Sequence, residues 1–209
     1  DCRRSGMVLG SGGIGMVLET EASARARISP ENAIPASPGF KCRLVEAQYT
    51  NSAYHGAALD RHHIATELER FLYTVEQRHG ITRADIATWG VYLSHETGTF
   101  ASETASCAYN EVHALRQCFG EDLLQHLLLV NTKGLTGHPM GVSFEDVAAV
   151  QVLHTGIVPP MPAYTQPDTR LNNGRPLKLS RGGSYDARYA LRFAAGFGSQ
   201  VAFALYAKP

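Results

Sequence analysis

Charge is scarce in this chain of 209 residues: Asp, Glu, Lys and Arg make up 18%, and nineteen basic residues cancel nineteen acidic ones. An average soluble domain carries about 25%. With no net field, binding to nucleic acid or to an anionic membrane surface by charge alone is excluded. Cysteine is also sparse. The four, Cys2, Cys42, Cys107 and Cys118, include no C-x-x-C pair, which argues against a thiolate metal site and against a disulfide-built scaffold, so reduced thiols are expected. No apolar run approaches the roughly 20 residues of a membrane span. The opening Asp1-Cys2-Arg3-Arg4-Ser5 lacks the basic-then-apolar layout of a signal peptide. The expectation is a soluble cytoplasmic protein with no membrane or nucleic-acid partner. Hydrophobic residues at 44% then imply a real core and a chain that hides much of its surface, some of it against a partner.

The pattern along the chain alternates strands with helices. Met7 to Leu18 reads as two apolar β-prone runs around a glycine turn, followed by a helix from Glu19 to Arg27; with the loop carrying Pro30, Pro35 and Pro38 this makes a first section, residues 1–40, of hairpin, helix and connecting loop. Residues 41–209 form a layered β/α section. Strand character resumes at Lys41 to Thr50. Ile64, Leu68, Phe71, Leu72 and Val75 recur at helical spacing between Asp60 and Gly80, the clearest helix of the sequence. Trp89 to Ser94 is a short apolar strand, and Ala105, Ala108, Val112, Leu115 and Phe119 form a helical stripe stopped by Gly120. The unit repeats: strand at Leu127 to Val130, loop from Asn131 to Gly141, helix from Phe144 to His154, the last apolar on nearly every side and so expected between layers. Two alternating strands joined by Gly196-Phe197-Gly198 close the chain. This is an α/β layered fold with a mixed sheet.

Gly10 to Gly15 satisfies the letter of G-x-G-x-x-G, the weakest of the functional signals. A dinucleotide site needs the last glycine to open a helix whose amides face a pyrophosphate, whereas Met16-Val17-Leu18 continues as strand and a proline loop stands where a ribose-binding acid would be needed. Of nine histidines, His62, His63, His79, His113, His126 and His154 read as solvated helix positions. His62 and His63 point to different faces and cannot grip one metal at i, i+4. His95 and His138 differ, because each comes after a strand in matching strand-loop-helix units, where layered α/β folds gather their active groups. Their loops are rich in Gly, Ser and Thr, and Lys133 shares the loop of His138. Two neutral imidazoles beside an ammonium suit a reaction that develops negative charge on a carbonyl oxygen or enolate.

These loops, in this order, resemble the second half of a β-ketoacyl synthase, the condensing enzyme of fatty-acid and polyketide assembly. His95-Glu96-Thr97-Gly98-Thr99 matches the family's H-G-T-G-T motif and Lys133 to His138 its K-x-x-x-G-H motif. Arg4 to Gly10 with Met16 to Glu19 resembles the R-x-G-x-x-x-G hairpin, Asn51 to His55 the segment before the long helix, and Ala195 to Ser199 the closing glycine turn. The similarity spans essentially the whole chain, and the wording of the two loops is closest to ketosynthase regions of large multidomain synthases. It implies the C-terminal half of a thiolase-like αβαβα fold. It implies catalytic roles for His95, His138 and Lys133, with Lys133 fixing His138, and substrate contacts for Thr97, Thr99, Gly196, Phe197 and Gly198; no metal and no cofactor are called for.

The resemblance further implies that the cysteine nucleophile comes from an N-terminal half preceding this sequence. An acyl carrier protein would deliver the extender, and the complete enzyme would be a homodimer. The segment Thr104 to Ala108 mimics the nucleophile motif, but Cys107 falls on a helix where the family has no catalytic group, and an inert thiol is expected there. Two departures stand out: Glu96 replaces a glycine beside His95, which would place a carboxylate near the oxyanion side, and Ala195 stands where the family places a phenylalanine. The activity implied is decarboxylative Claisen condensation. The alternatives are a ketosynthase-like half that sets chain length or geometry and catalyses nothing, and a nucleotide-binding α/β protein built on the first glycine turn.

Overall fold

The computed structural model describes residues 6–29, 39–99, 106–162, 166, 168–173 and 175–209. A short helix α1 (Glu21–Ile28) precedes the edge strand β1 (Arg43–Asn51). Helix α2 (Arg61–His79) begins where the Asp60 carboxylate accepts the amides of His62 and His63 and ends at Gly80, whose φ of 65° is left-handed. Its buried residues include Ile64, Leu68, Phe71, Leu72 and Val75, the stripe read from spacing. A seven-residue helix α3 (Arg83–Trp89), too short to show a period, starts on a Thr82–Asp85 capping box and leads into strand β2 (Gly90–Leu93), buried throughout. Next come α4 (Cys107–Leu124), β3 (Leu128–Val130), a single turn α5 (Lys133–Thr136) and α6 (Phe144–Thr155). Strands β4 (Ile157–Pro160) and β5 (Arg181–Ser184) pair as a small separate ribbon, and β6 (Tyr189–Gly196) and β7 (Gln200–Ala207) close the chain.

The main sheet has the order β1-β7-β6-β2-β3, mixed as the pattern implied. Strand β2 is parallel to both β3 and β6, while β6, β7 and β1 run antiparallel in turn. Alternation sorts the side chains between two faces. Tyr92, Leu191, Phe193, Phe203 and Leu205 meet α2, α3 and α4, whereas Val91, Leu93, Ala190 and Tyr206 meet Ala149, Val152 and Leu153 of α6. Helix α6 packs on one face of the sheet and against Val158 of β4, and its Gln151 and His154 are exposed, so it does not lie between layers of the described residues.

Two further expectations need correction. The run from Met7 to Leu18 is not a hairpin: it makes no strand pairing within itself, and Leu9 instead forms a parallel bridge to His138. Its β propensity is satisfied by a partner distant in sequence, since pairing preference depends on what surface is at hand. Gly10 serves a close approach, because a Cβ there would stand 2.1 Å from the carbonyl oxygen of Thr136. Gly120 does interrupt its helix as expected: at φ 68° and ψ 168° it leaves the helical path, and a short further turn to Leu124 follows within α4. The stretch from Asn131 to Gly141 is not all loop, since it holds α5. Pro30, Pro35, Pro38, Cys2, Arg4, Thr104 and Ala105 lie outside the described residues.

Candidate functional site

Because β2 and β3 are neighbouring parallel strands, the loops that leave their C-terminal ends emerge side by side. The rings of His95 and His138 stand edge to face with centroids 5.7 Å apart, and Phe193 of β6 closes against His95 at 6.0 Å. The opening segment ties the two loops together. The Gly6 amide donates to Gly98 O at 3.0 Å, the His138 amide to Val8 O at 2.7 Å, and the Gly10 amide to His138 O at 3.2 Å.

Lys133 is buried and bonds the other histidine from the one expected. Its Nζ lies 2.9 Å from both the Nδ1 and the backbone oxygen of His95, and 3.4 Å from Glu145 Oε1. An ammonium has only donors, so Nδ1 of His95 accepts, the ring is neutral and the proton sits on Nε2. Burial, reinforced by the positive charges of Lys133 and Arg192, holds the His95 imidazole well below its usual pKa. Burial also lowers Lys133 and His138, helped by Arg192 in the first and by Lys133 in the second, with Glu145 opposing in each. Glu145 is itself buried, and its second oxygen accepts from Arg192 Nη2 at 3.2 Å.

A second carboxylate works from behind. Glu111 of α4 is buried and accepts from the His95 amide at 3.0 Å and from the Tyr92 hydroxyl at 2.8 Å, and burial pushes its pKa up to about 7. Glu96, beside His95 in sequence, makes no hydrogen bond or ion pair with Glu145 or with Lys133, the imidazole's partner. Its carboxylate turns away, accepting from the amides of Gly98 (2.6 Å), Thr99 (3.1 Å) and Ala108 (2.5 Å), and so caps α4, where Ser106 makes no side-chain cap bond. Asn131 completes the frame, donating to Glu96 O at 2.7 Å and accepting the Lys133 amide at 3.1 Å.

Thr97 is buried and lines a cavity of about 520 Å³ that runs from this loop between α4 and β3, with Tyr92, Glu111, Lys133 and Leu179 on its walls. Thr99 is half-buried and held by Glu96. Gly196, Phe197 and Gly198 make the β6–β7 turn at the same end of the sheet but are not among the residues of that cavity, and Phe197 is exposed. Burial pushes the Cys107 thiol up to about 12, which suits an inert side chain. Among the described residues no His, Cys, Asp and Glu cluster could hold a metal ion, and no helix is long and apolar enough to cross a membrane. The glycine run opens no helix, so the dinucleotide reading has no structural counterpart.

Glu111, Glu145, Arg192 and Asn131 escaped sequence reasoning as site residues. Arg192 and Glu145 did leave a signal: Arg192 is the sole charge in β6, and Glu145 belongs to an otherwise mainly apolar helix, and such charges fold inward only with partners.

No family model matches the chain. This chain is similar to ketosynthases of fatty-acid and polyketide assembly, as the order of motifs implied. It is 28% identical over 202 residues to 3-oxoacyl-[acyl-carrier-protein] synthase 2 of Vibrio harveyi, an alignment covering 95% of this chain and 43% of that protein. It is 29% identical over 170 residues to a Streptomyces halstedii protein named as a polyketide β-ketoacyl synthase, covering 80% of this chain and 36% of the other. The chain thus spans about two fifths of the length of the relatives it matches. Among solved structures, the ishigamide ketosynthase/chain length factor superposes over 100% of this chain and 46% of its own, with a TM-score of 0.78 at 21% identity. The oxazolomycin ketosynthase domain of Streptomyces albus gives 0.70 at 16% identity, over 100% of this chain and 36% of that one. The fold is therefore the thiolase-like ketosynthase fold.

Proposed function

We propose that this chain is the C-terminal part of a β-ketoacyl synthase and that His95 and His138 form the condensing half of its active site. The observation that carries the reading is the convergence of the two imidazoles, centroids 5.7 Å apart, over a buried Lys133 that leaves His95 with Nε2–H as a donor. In this reading an acyl thioester sits on a cysteine supplied by an N-terminal half. A malonyl-type extender arrives on an acyl carrier protein. Loss of CO2 leaves its electron pair on the α-carbon as an enolate, whose oxygen the histidines stabilise. The α-carbon attacks the acyl carbonyl, the new C–C bond forms, the C–S bond breaks, and the cysteine thiolate leaves and takes a proton. Lys133 positions His95, and Thr97 and Thr99 meet the carrier-bound arm. Exposed Val8, Leu9, Val17 and Leu18 suit burial against that other half, and the complete enzyme would be a homodimer.

A second reading, a non-catalytic chain-length-setting half, is favoured by the full-length superposition on a ketosynthase/chain length factor and by Glu96 at a glycine position. One experiment separates them. In the complete enzyme, His95→Ala or His138→Ala should lower condensation by about a hundred- to a thousandfold, since one donor to a developing oxyanion contributes about 3 to 4 kcal/mol. Acyl loading of the cysteine, followed by mass spectrometry, should persist. Condensation at the parent rate in both variants would leave the scaffold reading.

A further inference from the structure

Arg192 is a costly residue to place where it lies. It is the sole charge of β6, its side chain faces the α6 layer, and it is buried. Burying a guanidinium is unfavourable unless its donors are met, and here the two terminal nitrogens reach two elements while Nε has no hydrogen-bond partner. Nη1 donates to Leu93 O at 3.4 Å, at the end of the strand that delivers His95, and Nη2 donates to Ser143 Oγ at 3.3 Å and Glu145 Oε2 at 3.2 Å, at the start of α6. Glu145 therefore faces two buried cations, Arg192 through one oxygen and Lys133 at 3.4 Å from the other. Lys133 makes its shorter contacts, 2.9 Å each, to His95.

We propose that Arg192 is a positioning residue of this site: by occupying one oxygen of Glu145 it leaves the Lys133 ammonium on His95, so that the imidazoles serve as neutral hydrogen-bonding groups. Lys133, Arg192 and Glu145 together carry one net positive charge. An imidazolium at His95 would add a second cation beside that ammonium. Without Arg192, Glu145 would be left to Lys133 alone, drawing the ammonium off Nδ1 and cancelling the charge that opposes protonation. The other ionisable groups around the cluster include His138, Glu111 behind the His95 amide with the Tyr92 hydroxyl on it, Asp146 at 3.8 Å from Arg192 Nε with the Tyr206 hydroxyl on it, and the Cys107 thiol; Glu96 is turned to α4. The inference rests on His95 and His138 being the working groups, and not on the reaction assigned to them.

The test is histidine titration by NMR on the isotope-labelled full chain, with His95 and His138 assigned by their loss in single variants. In the parent, His95 should keep the Nε2–H tautomer, its midpoint well below that of an ordinary histidine. Arg192→Gln, which keeps donors but removes the charge, should raise the His95 midpoint by about one unit or more. Arg192→Lys should behave as the parent. Glu145→Gln should move the His138 midpoint down. A folded Arg192→Gln with His95 unchanged would overturn the proposal, as would Arg192→Lys shifting His95 as far as Arg192→Gln does. Should Arg192→Gln fail to fold, Glu145→Gln decides: a fall for His138 supports the proposal and an unmoved midpoint overturns it. The readout needs no acyl group or carrier protein, so absent condensation would remove the ketosynthase reading and leave this result intact.

Discussion

Replacing Glu96 by Ala tests whether the departure beside His95 is a cap or an active-site charge. Its carboxylate accepts three backbone amides, those of Gly98, Thr99 and Ala108, and no side-chain cap from Ser106 stands in reserve at the start of α4. Losing a helix N-cap costs about 1 kcal/mol, and hydrogen bonds to a charged group contribute about 1.5 to 3 kcal/mol each. Glu96 is only half-buried and the Gly98 and Thr99 amides can recover water, so the three bonds do not add in full. A loss of about 2 to 4 kcal/mol is expected, with Glu96→Gln losing about half as much because a neutral amide oxygen still accepts. Urea unfolding of the full chain measures this, and hydrogen exchange at Thr97, Gly98 and Thr99 shows whether the loop loosens locally. A Glu96→Ala variant within about 0.5 kcal/mol of the parent, with unchanged exchange, would refute the capping argument.

The same geometry yields three more expected outcomes. Gly10→Ala forces a Cβ to 2.1 Å from Thr136 O and should cost about 1 to 3 kcal/mol in thermal unfolding, whereas Gly15→Ala, with nothing within 4 Å, should stay within about 0.5 kcal/mol; equal melting temperatures would refute the close-approach role. Glu111 has its folded pKa raised to about 7, so the folded state binds the extra proton between the unfolded value near 4.3 and about 7, and its contribution is lost as pH rises through that window. Glu111→Gln should therefore gain stability relative to the parent on going from pH 5 to 8, by up to about 3 kcal/mol, and an unchanged pH slope in urea midpoints would count against it. Cys107, its thiol pushed up to about 12, should resist iodoacetamide at pH 8 in the folded chain and react once unfolded; rapid labelling of the native protein would show an activated thiol.

Much of the layered fold was legible because periodicity reports burial directly. The α2 stripe from Ile64 to Val75 and the alternation of β6 and β7 are local consequences of one face meeting a core, and the glycine and aspartate that bound α2 act on their own neighbours. His95 and His138 were legible for a related reason: each sits in the loop after a strand, and neighbouring parallel strands deliver their loops to one place. What no local pattern contains is which side chains complete the cluster. Lys133 shares a loop with His138 yet bonds His95, 38 residues away, because α5 turns its ammonium into the gap between β2 and α6. Glu145 and Arg192, 47 residues apart, are partners only because α6 packs on the face of β6 that Arg192 occupies. The Met7–Leu18 run carries the letters of a hairpin, but Val8 and Gly10 exchange backbone hydrogen bonds with His138, since Gly10 and Gly137 allow backbones to touch where any side chain would hold them apart. Short-range order is written in propensity and spacing; the charges and contacts that tune the site are decided by the energy of burying them, which only the packed layers determine.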